Sequence, residues 1–196
     1  MKPLECWFEF ASTYSYLSVM RVEAACAEAG VPLVWRPFLL GPILGAQGMT
    51  DSPFNLYPTK GQYMWQDMER CCAAQGLAWK HPSGFPRGSL LAARIATGYA
   101  QESWVGAFIR RVFFANFAED QDISNDAVIA QLLDELGQET SSVLAHAGTP
   151  EVKSALRAQT EAALSHGLFG APSFRVEDAL YWGNDRLEMA LAAARL

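Results

Sequence analysis

The chain has 196 residues, 51% of them hydrophobic and 18% charged, which supplies a sizeable core and excludes a disordered chain. Its formal net charge is −6 and its 15 basic residues are scattered, which argues against nucleic acid as a partner because phosphate binding needs clustered Lys and Arg. No apolar run reaches the roughly 18 residues of a bilayer span, and Met1 to Cys6 leads into an apparent strand without a signal-peptide core, so the expected setting is the cytoplasm, with no membrane partner.

Leu4 to Phe10 is short, aromatic and partly alternating, the pattern of a buried strand. After a break at Ala11-Ser12-Thr13, Tyr14 to Ala29 reads as a helix. Leu17, Met20, Ala24 and Ala27 form its apolar stripe, and Ser18, Arg21 and Glu28 lie on another face. Gly30 is a natural helix stop, and Leu33 to Arg36 reads as a second strand, parallel to the first across this βαβ unit. Pro37 to Pro58 is rich in proline and glycine and reads as an extended loop. From Gly61 to Thr160 the patterns are helical: Val105, Phe108, Ile109, Val112 and Phe113 make one stripe, and Ile129, Leu132, Leu133 and Leu136 another. Ser124 is the expected N-cap of the second of these helices, and Thr149-Pro150-Glu151 opens a further one that Gly167 ends.

The chain then returns to strands. Ser173 to Val176 and Leu180 to Trp182 flank a Glu177-Asp178 turn and predict a hairpin. Asn184-Asp185 opens a last helix with Leu187, Leu191 and Ala194 on one face. The order βαβ, a long helical stretch, then ββα predicts an α/β fold. One sheet is built from residues 1–40 and 167–196, with residues 41–166 inserted as a loop and helical domain.

The four cysteines, Cys6, Cys26, Cys71 and Cys72, form no C-x-x-C pair, and neighbours on a helix point apart, so reduced thiols are expected. His81, His146 and His166 are isolated, and no metal site is visible.

Chemistry concentrates in three segments. Ser12 stands between a strand and a helix, where main-chain N–H groups and the helix dipole attract anions. Its hydroxyl can cap the helix, or donate to a thiolate and so lower the pKa of a bound thiol. Pro172 follows a glycine-rich turn and precedes a strand, a position suited to a cis peptide, which would leave the Ala171 N–H and C=O free to pair with an extended peptide. Asn184, Asp185 and Arg186 sit at a strand-to-helix junction and offer an amide, a carboxylate and a guanidinium, able to hold both ends of an amino acid.

These motifs resemble those of the 2-hydroxychromene-2-carboxylate isomerases and kappa-class glutathione transferases, in the DsbA-like branch of thioredoxin folds. Ser12-Thr13-Tyr14-Ser15-Tyr16-Leu17 is similar to their active-site serine segment, Phe169 to Ser173 to their cis-proline loop, and Trp182 to Leu187 to their W-G-x-D-R ending. Asn55, the Lys60-to-Arg70 helix with Tyr63, Met64 and Asp67, and Phe85-Pro86 with Ser89 to Arg94 also match, so the resemblance covers nearly the whole chain.

The resemblance implies a thioredoxin-like fold and glutathione as cofactor. Ser12 would hydrogen-bond the glutathione sulfur, Ala171 before a cis Pro172 would pair with its cysteinyl unit, and Asn184, Asp185 and Arg186 would hold its γ-glutamyl end. Asn55 would contact glutathione or substrate, Lys60 a carboxylate, and Tyr14, Tyr63, Trp65 and Phe85 a small aromatic substrate. A homodimer is implied as well. Two positions depart from the family pattern: Thr13 replaces a proline and Gly88 an asparagine near the substrate side. The implied reaction is glutathione-dependent isomerisation. The alternatives are a kappa-like transferase and a glutathione-binding protein without turnover. A disulfide exchanger is excluded by serine at both 12 and 15, since exchange needs an attacking thiol there.

Overall fold

In the computed structural model, which describes residues 1–196, the aromatic runs from the two ends of the chain come together. β1 (Leu4–Phe8), β2 (Leu33–Pro37), β3 (Ser173–Val176) and β4 (Ala179–Trp182) form one sheet in the order β2-β1-β3-β4. β1 and β2 run parallel and are joined by α1 (Thr13–Ala29), while β3 pairs antiparallel with β1 and with β4. The hairpin turns at Glu177 and Asp178, with Glu177 in the left-handed region at φ 53°. Between β2 and β3 lie α2 (Leu40–Ala46), α3 (Pro53–Leu56), α4 (Pro58–Gln75), α5 (Leu90–Gly98), α6 (Val105–Phe117), α7 (Asp126–Glu135), α8 (Thr140–Ala147) and α9 (Pro150–Ser165). A 3-10 turn at Asn184–Arg186 leads into α10 (Leu187–Ala194), which buries Leu187, Leu191 and Ala194. This is the α/β, thioredoxin-like architecture with a helical insertion that the element order predicts.

Four local expectations are corrected. β1 stops at Phe8, not Phe10: the Phe38 N–H donates to the Phe8 carbonyl at 3.1 Å as the last rung between the two parallel strands, and the chain then turns at Phe10-Ala11. The chain then folds back, and the Ser12 N–H donates to the Glu9 carbonyl at 2.9 Å. Second, the buried face of α1 carries Ser15, Ser18, Val19, Val22, Cys26 and Ala29, while Ala24 and Ala27 face solvent. Alanine has too little apolar area to decide which face packs, and the branched residues win. Third, Pro37 to Pro58 is not an extended loop. Pro37 ends β2, while Pro42, Pro53 and Pro58 sit in the first turns of α2, α3 and α4, where an N–H has no helical partner to lose, and Ser52 caps α3. Fourth, Asn125 rather than Ser124 caps α7 and accepts from the Ala127 N–H, because the Ser124 hydroxyl is taken by Asp122 at 2.6 Å. Thr149 caps α9 as expected, and Gly30 ends α1 at φ 67°.

A cluster of 39 buried hydrophobic residues runs without a break from the sheet into the helices. At its centre Phe8 and Phe10 meet edge-on at 5.2 Å, Phe10 meets Phe113 of α6 at 5.1 Å, and Tyr16 of α1 meets Phe117 at 5.7 Å. Such aromatic pairs contribute about 0.5–1.5 kcal/mol each beyond the area they bury. They clamp the end of β1, and with it the start of α1, against α6.

Beside α6 the buried Arg87 guanidinium gathers Asp120, the Asn116 side chain and the Gln121 carbonyl. The Ser83 N–H and the Arg87 guanidinium hold the Asp120 carboxyl down at about 2, from an ordinary value near 3.8. A depressed carboxyl adds stability above its unfolded pKa and loses it as pH falls through the folded one. Asp120→Asn should therefore flatten the fall in unfolding free energy between pH 4 and 2, read from urea titrations at a series of pH values; an unchanged acid limb would show that Asp120 does not drive it.

Candidate active site

The geometry of the site begins with a helix cap. Ser12 has extended backbone at φ −81°, ψ 119°, and its Oγ accepts the Ser15 N–H at 3.2 Å. The same hydroxyl donates to the carbonyl of Ala171 at 3.0 Å, across 159 residues of chain. The Ala171-Pro172 peptide is cis. The Ala171 carbonyl is thus not free, as the sequence reading had it, but holds the serine hydroxyl, while the Ala171 N–H has no acceptor in the protein. The N–H groups of Thr13 and Tyr14, the first of α1, are also unpaired. One hydroxyl and three N–H groups therefore converge at the N-terminus of a helix, a setting that favours an anion.

The third segment joins this one through two hydrogen-bonded links. The Gly183 N–H donates to the Pro172 carbonyl at 3.0 Å. The Asn184 Oδ1 accepts from the Ser18 hydroxyl at 3.0 Å and from Arg21 Nε at 3.3 Å, and Arg21 also donates to the Asn184 carbonyl at 2.7 Å and to Glu188 at 2.8 Å. Ser18 and Arg21, read from the sequence as lying on a face of α1 away from its apolar stripe, are what hold the Asn184 turn. Their spacing of three is a legible helical pairing, but nothing in the sequence says what lies opposite. Asp185 and Arg186 are exposed and pair with each other at 3.0 Å. The tight approach needs glycine twice: at Gly170 a Cβ would lie 2.5 Å from the Trp182 indole nitrogen, and Gly183 adopts φ 111°.

The remaining site residues gather around α3 and α4. The Tyr14 hydroxyl donates to Asp67 at 2.8 Å and its ring stands 6.2 Å from Phe54, whose face also meets the Lys60 ammonium at 5.7 Å. Burial and the Asp67 carboxylate push the Tyr14 phenol up, so it stays protonated. Asn55 donates to Asp51 at 3.1 Å and to the Phe85 carbonyl at 3.2 Å. Phe85 packs edge-on against Trp65 at 4.9 Å, and His81 lies 4.1 Å from the same indole. Tyr63 is exposed. This aromatic group meets the Ser12 group only at the start of α1, where Thr13 Oγ1 contacts Met64 Sδ at 3.0 Å. Phe85 and Gly88 line a cavity of about 340 Å³ with Asp122 and Ser124 that does not include Ser12. A Cβ at Gly88 would already press on Ser124 at 3.3 Å, which accounts for a glycine at this departure from the family pattern.

None of the chain's own thiols is activated as a thiolate. Burial pushes Cys26 up to about 11 and Cys72 to about 12, and raises Cys6 and Cys71 as well. All four are free.

Comparison with known proteins agrees with this architecture. A sequence model of the DSBA-like thioredoxin domain matches residues 3–194. A 2-hydroxychromene-2-carboxylate isomerase of Sphingobium xenophagum is 25% identical over 95% of both chains. Glutathione S-transferase kappa 1 of Homo sapiens is 26% identical, covering 96% of this chain and 88% of its own. In structure, 2-hydroxychromene-2-carboxylate isomerase superposes with a TM-score of 0.84 at 24% identity, over 97% of this chain and 93% of that one. The cytosolic disulfide reductase DsbM of Pseudomonas aeruginosa, solved with GSH, superposes at 0.67 with 15% identity, over 98% and 97%. The relatives are enzymes, and no helix of this chain is long and apolar enough to cross a membrane.

The cysteine environments give a direct check. Only Cys71 is partly exposed, so an aromatic disulfide reagent should titrate one thiol in the native protein and four after unfolding. Rapid reaction of two or more native thiols would contradict the burial of Cys6, Cys26 and Cys72.

Proposed function

We propose that this chain, which belongs to the DSBA-like thioredoxin domain family, is a glutathione-dependent isomerase. It interconverts 2-hydroxychromene-2-carboxylate, or a related aromatic catabolite, and trans-o-hydroxybenzylidenepyruvate. The observation that carries the reading is Ser12: a hydroxyl at the N-terminus of α1, 3.0 Å from the Ala171 carbonyl, in a chain whose own thiols are all held neutral.

The residues present suit glutathione. A tripeptide laid along Ala171 would find its unpaired N–H, and would give the Ala171 carbonyl a new donor in place of Ser12. Ser12 would then turn its hydroxyl to the sulfur while still accepting the Ser15 N–H. Asn184, Asp185 and Arg186 would hold the γ-glutamyl end, the carboxylate facing its ammonium and the guanidinium its carboxylate. Bound glutathione would supply the thiolate that this chain lacks, adding to the conjugated double bond, allowing rotation after ring opening, and leaving again unconsumed.

What the chain itself does is hold and orient. Ser12 and the first N–H groups of α1 keep the sulfur charged at neutral pH. Lys60 would face the substrate carboxylate, and Tyr14, Tyr63 and Phe85 would pack on the ring. Asn55, already fastened to Asp51 and to the Phe85 carbonyl, would fix the wall on which Phe85 stands. A homodimer and a small aromatic substrate complete the reading. A second reading, a kappa-like transferase, is favoured by the 26% identity to the human kappa enzyme. It uses the same thiolate but releases a conjugate.

The deciding experiment is ultraviolet spectroscopy of 2-hydroxychromene-2-carboxylate with purified protein, with and without glutathione. Approach to the benzylidenepyruvate equilibrium only with glutathione is expected. Glutathione consumption with chlorodinitrobenzene and no chromene turnover would move the assignment to the transferase. One hydrogen bond to a thiolate is worth roughly 1.5–3 kcal/mol, so Ser12→Ala should slow turnover by roughly 10–150-fold in a folded protein. Arg21→Ala, which frees Asn184, should raise the KM for glutathione by about tenfold with kcat little changed. A change confined to kcat would place Arg21 elsewhere in the reaction.

A further inference from the structure

Beneath the Ser12 turn lies a carboxylate that the proposed reaction does not use. Glu9, which stands between Phe8 and Phe10 in the chain, is only 6% exposed. Its Oε1 accepts the Ala11 N–H at 3.3 Å and the hydroxyl of Ser89; its Oε2 accepts the Leu40 N–H at 2.9 Å. Every one of these partners is a donor and none is a cation. Burial pushes the Glu9 carboxyl up, and the surrounding donors oppose that push. An acid buried without a cation is costly, and an apolar side chain would fill the space without that cost.

The partners of Glu9 show what it connects. Leu40 starts α2, Ser89 precedes α5, and Ala11 is the residue before Ser12. The Glu9 carbonyl itself takes the Ser12 N–H at 2.9 Å. Asn116 of α6 adds a parallel tie: its Nδ2 donates to the Phe10 carbonyl at 3.1 Å while its Oδ1 is held by Arg87 at 3.0 Å. The main chain at residues 9 to 12 is thus fixed by groups from α2, α6 and the residue before α5.

We propose that Glu9 is a positioning residue: its carboxylate ties the starts of α2 and α5 to the Ala11 amide and so fixes where the Ser12 hydroxyl stands. The inference rests on reading Ser12 as the residue that meets the glutathione sulfur. A carboxylate is required, not an amide. A glutamine can face Leu40 with its oxygen and Ser89 with its NH2, but then the Ala11 N–H meets a donor. The opposite orientation leaves Leu40 in the same position.

Glu9→Gln tests this in two ways. In the free protein, amide hydrogen exchange at Ala11, Ser12 and Ser15, the hydrogen-bonded amides of the turn, should quicken by about tenfold, with the protection of α6 and β3 unchanged. With glutathione, the pKa of the bound thiol, followed by thiolate absorbance, should rise by about one unit. Binding of S-methylglutathione, which has no thiolate, should stay as in the wild type. In the Ser12→Ala background Glu9→Gln should add nothing to the thiol shift. Should Glu9→Gln fail to fold, Ser89→Ala removes one donor and should give the same pattern in weaker form. Wild-type exchange at Ala11, Ser12 and Ser15 in the folded variant, or a thiol shift that adds to that of Ser12→Ala, would overturn the proposal. If the wild type binds no glutathione by calorimetry, the functional reading fails and the exchange measurement alone decides the role of Glu9.

Discussion

The five residues from Phe8 to Ser12 bear the constraint on which the site depends. Phe8 is the last strand residue, its carbonyl taking the final rung from the Phe38 N–H, and Phe10 is held between Phe8, which it meets edge to face, and the tilted ring of Phe113. A turn held this firmly from below can expose a hydroxyl at one fixed place above. Preorganisation of this kind matters because an electrostatic contact with a reacting sulfur acts only if the donor need not be reoriented during the step. The helical segment between β2 and β3 supplies both the aromatic clamp from α6 and the polar ties to the turn, so it is part of what makes the Ser12 position rigid.

Serine at this place changes the chemistry open to the fold. A cysteine at a helix N-terminus would be a nucleophile in its own right. Ser12 has no such acidity and acts only through hydrogen bonds, so in the proposed reaction the thiolate comes from a bound molecule. The same cluster of N–H groups that would lower a cysteine pKa is left to act on that molecule. The free Ala171 N–H beside it favours an extended peptide over an isolated anion, since it offers a strand-like edge next to the charge site.

Much of this was legible in the sequence, and what was not has a physical pattern. The two strand pairs, the crossover helix and the hairpin follow from local periodicity and glycine placement, which local sequence encodes well. Ser12, Pro172 and Asn184 were each readable as junction residues. What joins them was not readable: the Ser12 hydroxyl meets Ala171 across 159 residues, and Ser18 and Arg21 look like solvent-facing polar residues until Asn184 is placed against them. Glu9 was invisible for the opposite reason. In a strand pattern one charged residue between two phenylalanines reads as the outward side of an alternation, but that side is covered as well: Trp7 is buried there against Phe38 and Ile43, and Leu40 and Ser89 meet the Glu9 carboxylate. The second cis peptide, Phe85-Pro86, lies in a stretch read as helical and had no local signal beyond its proline.

The two departures from the family pattern acquire different meanings once their surroundings are known. Thr13 stands where a proline would fix the backbone at the first position of the helix. Its side chain is buried and its hydroxyl contacts Met64, so it fastens α1 to α4 sideways instead of stiffening the turn through φ. The nucleophile-facing geometry can therefore be kept by a tertiary contact in place of a covalent ring. Gly88 is another matter. It lines the cavity beside Phe85, where a Cβ would press on the side chain of Ser124 at 3.3 Å, so a longer side chain there would have to move Ser124 aside by a few tenths of an ångström. A change there alters the wall and leaves the sulfur site untouched. Under the proposed reading, a substrate-side position at Gly88 would thus be separated in space from the groups that would hold glutathione, and the fold could vary the one without disturbing the other.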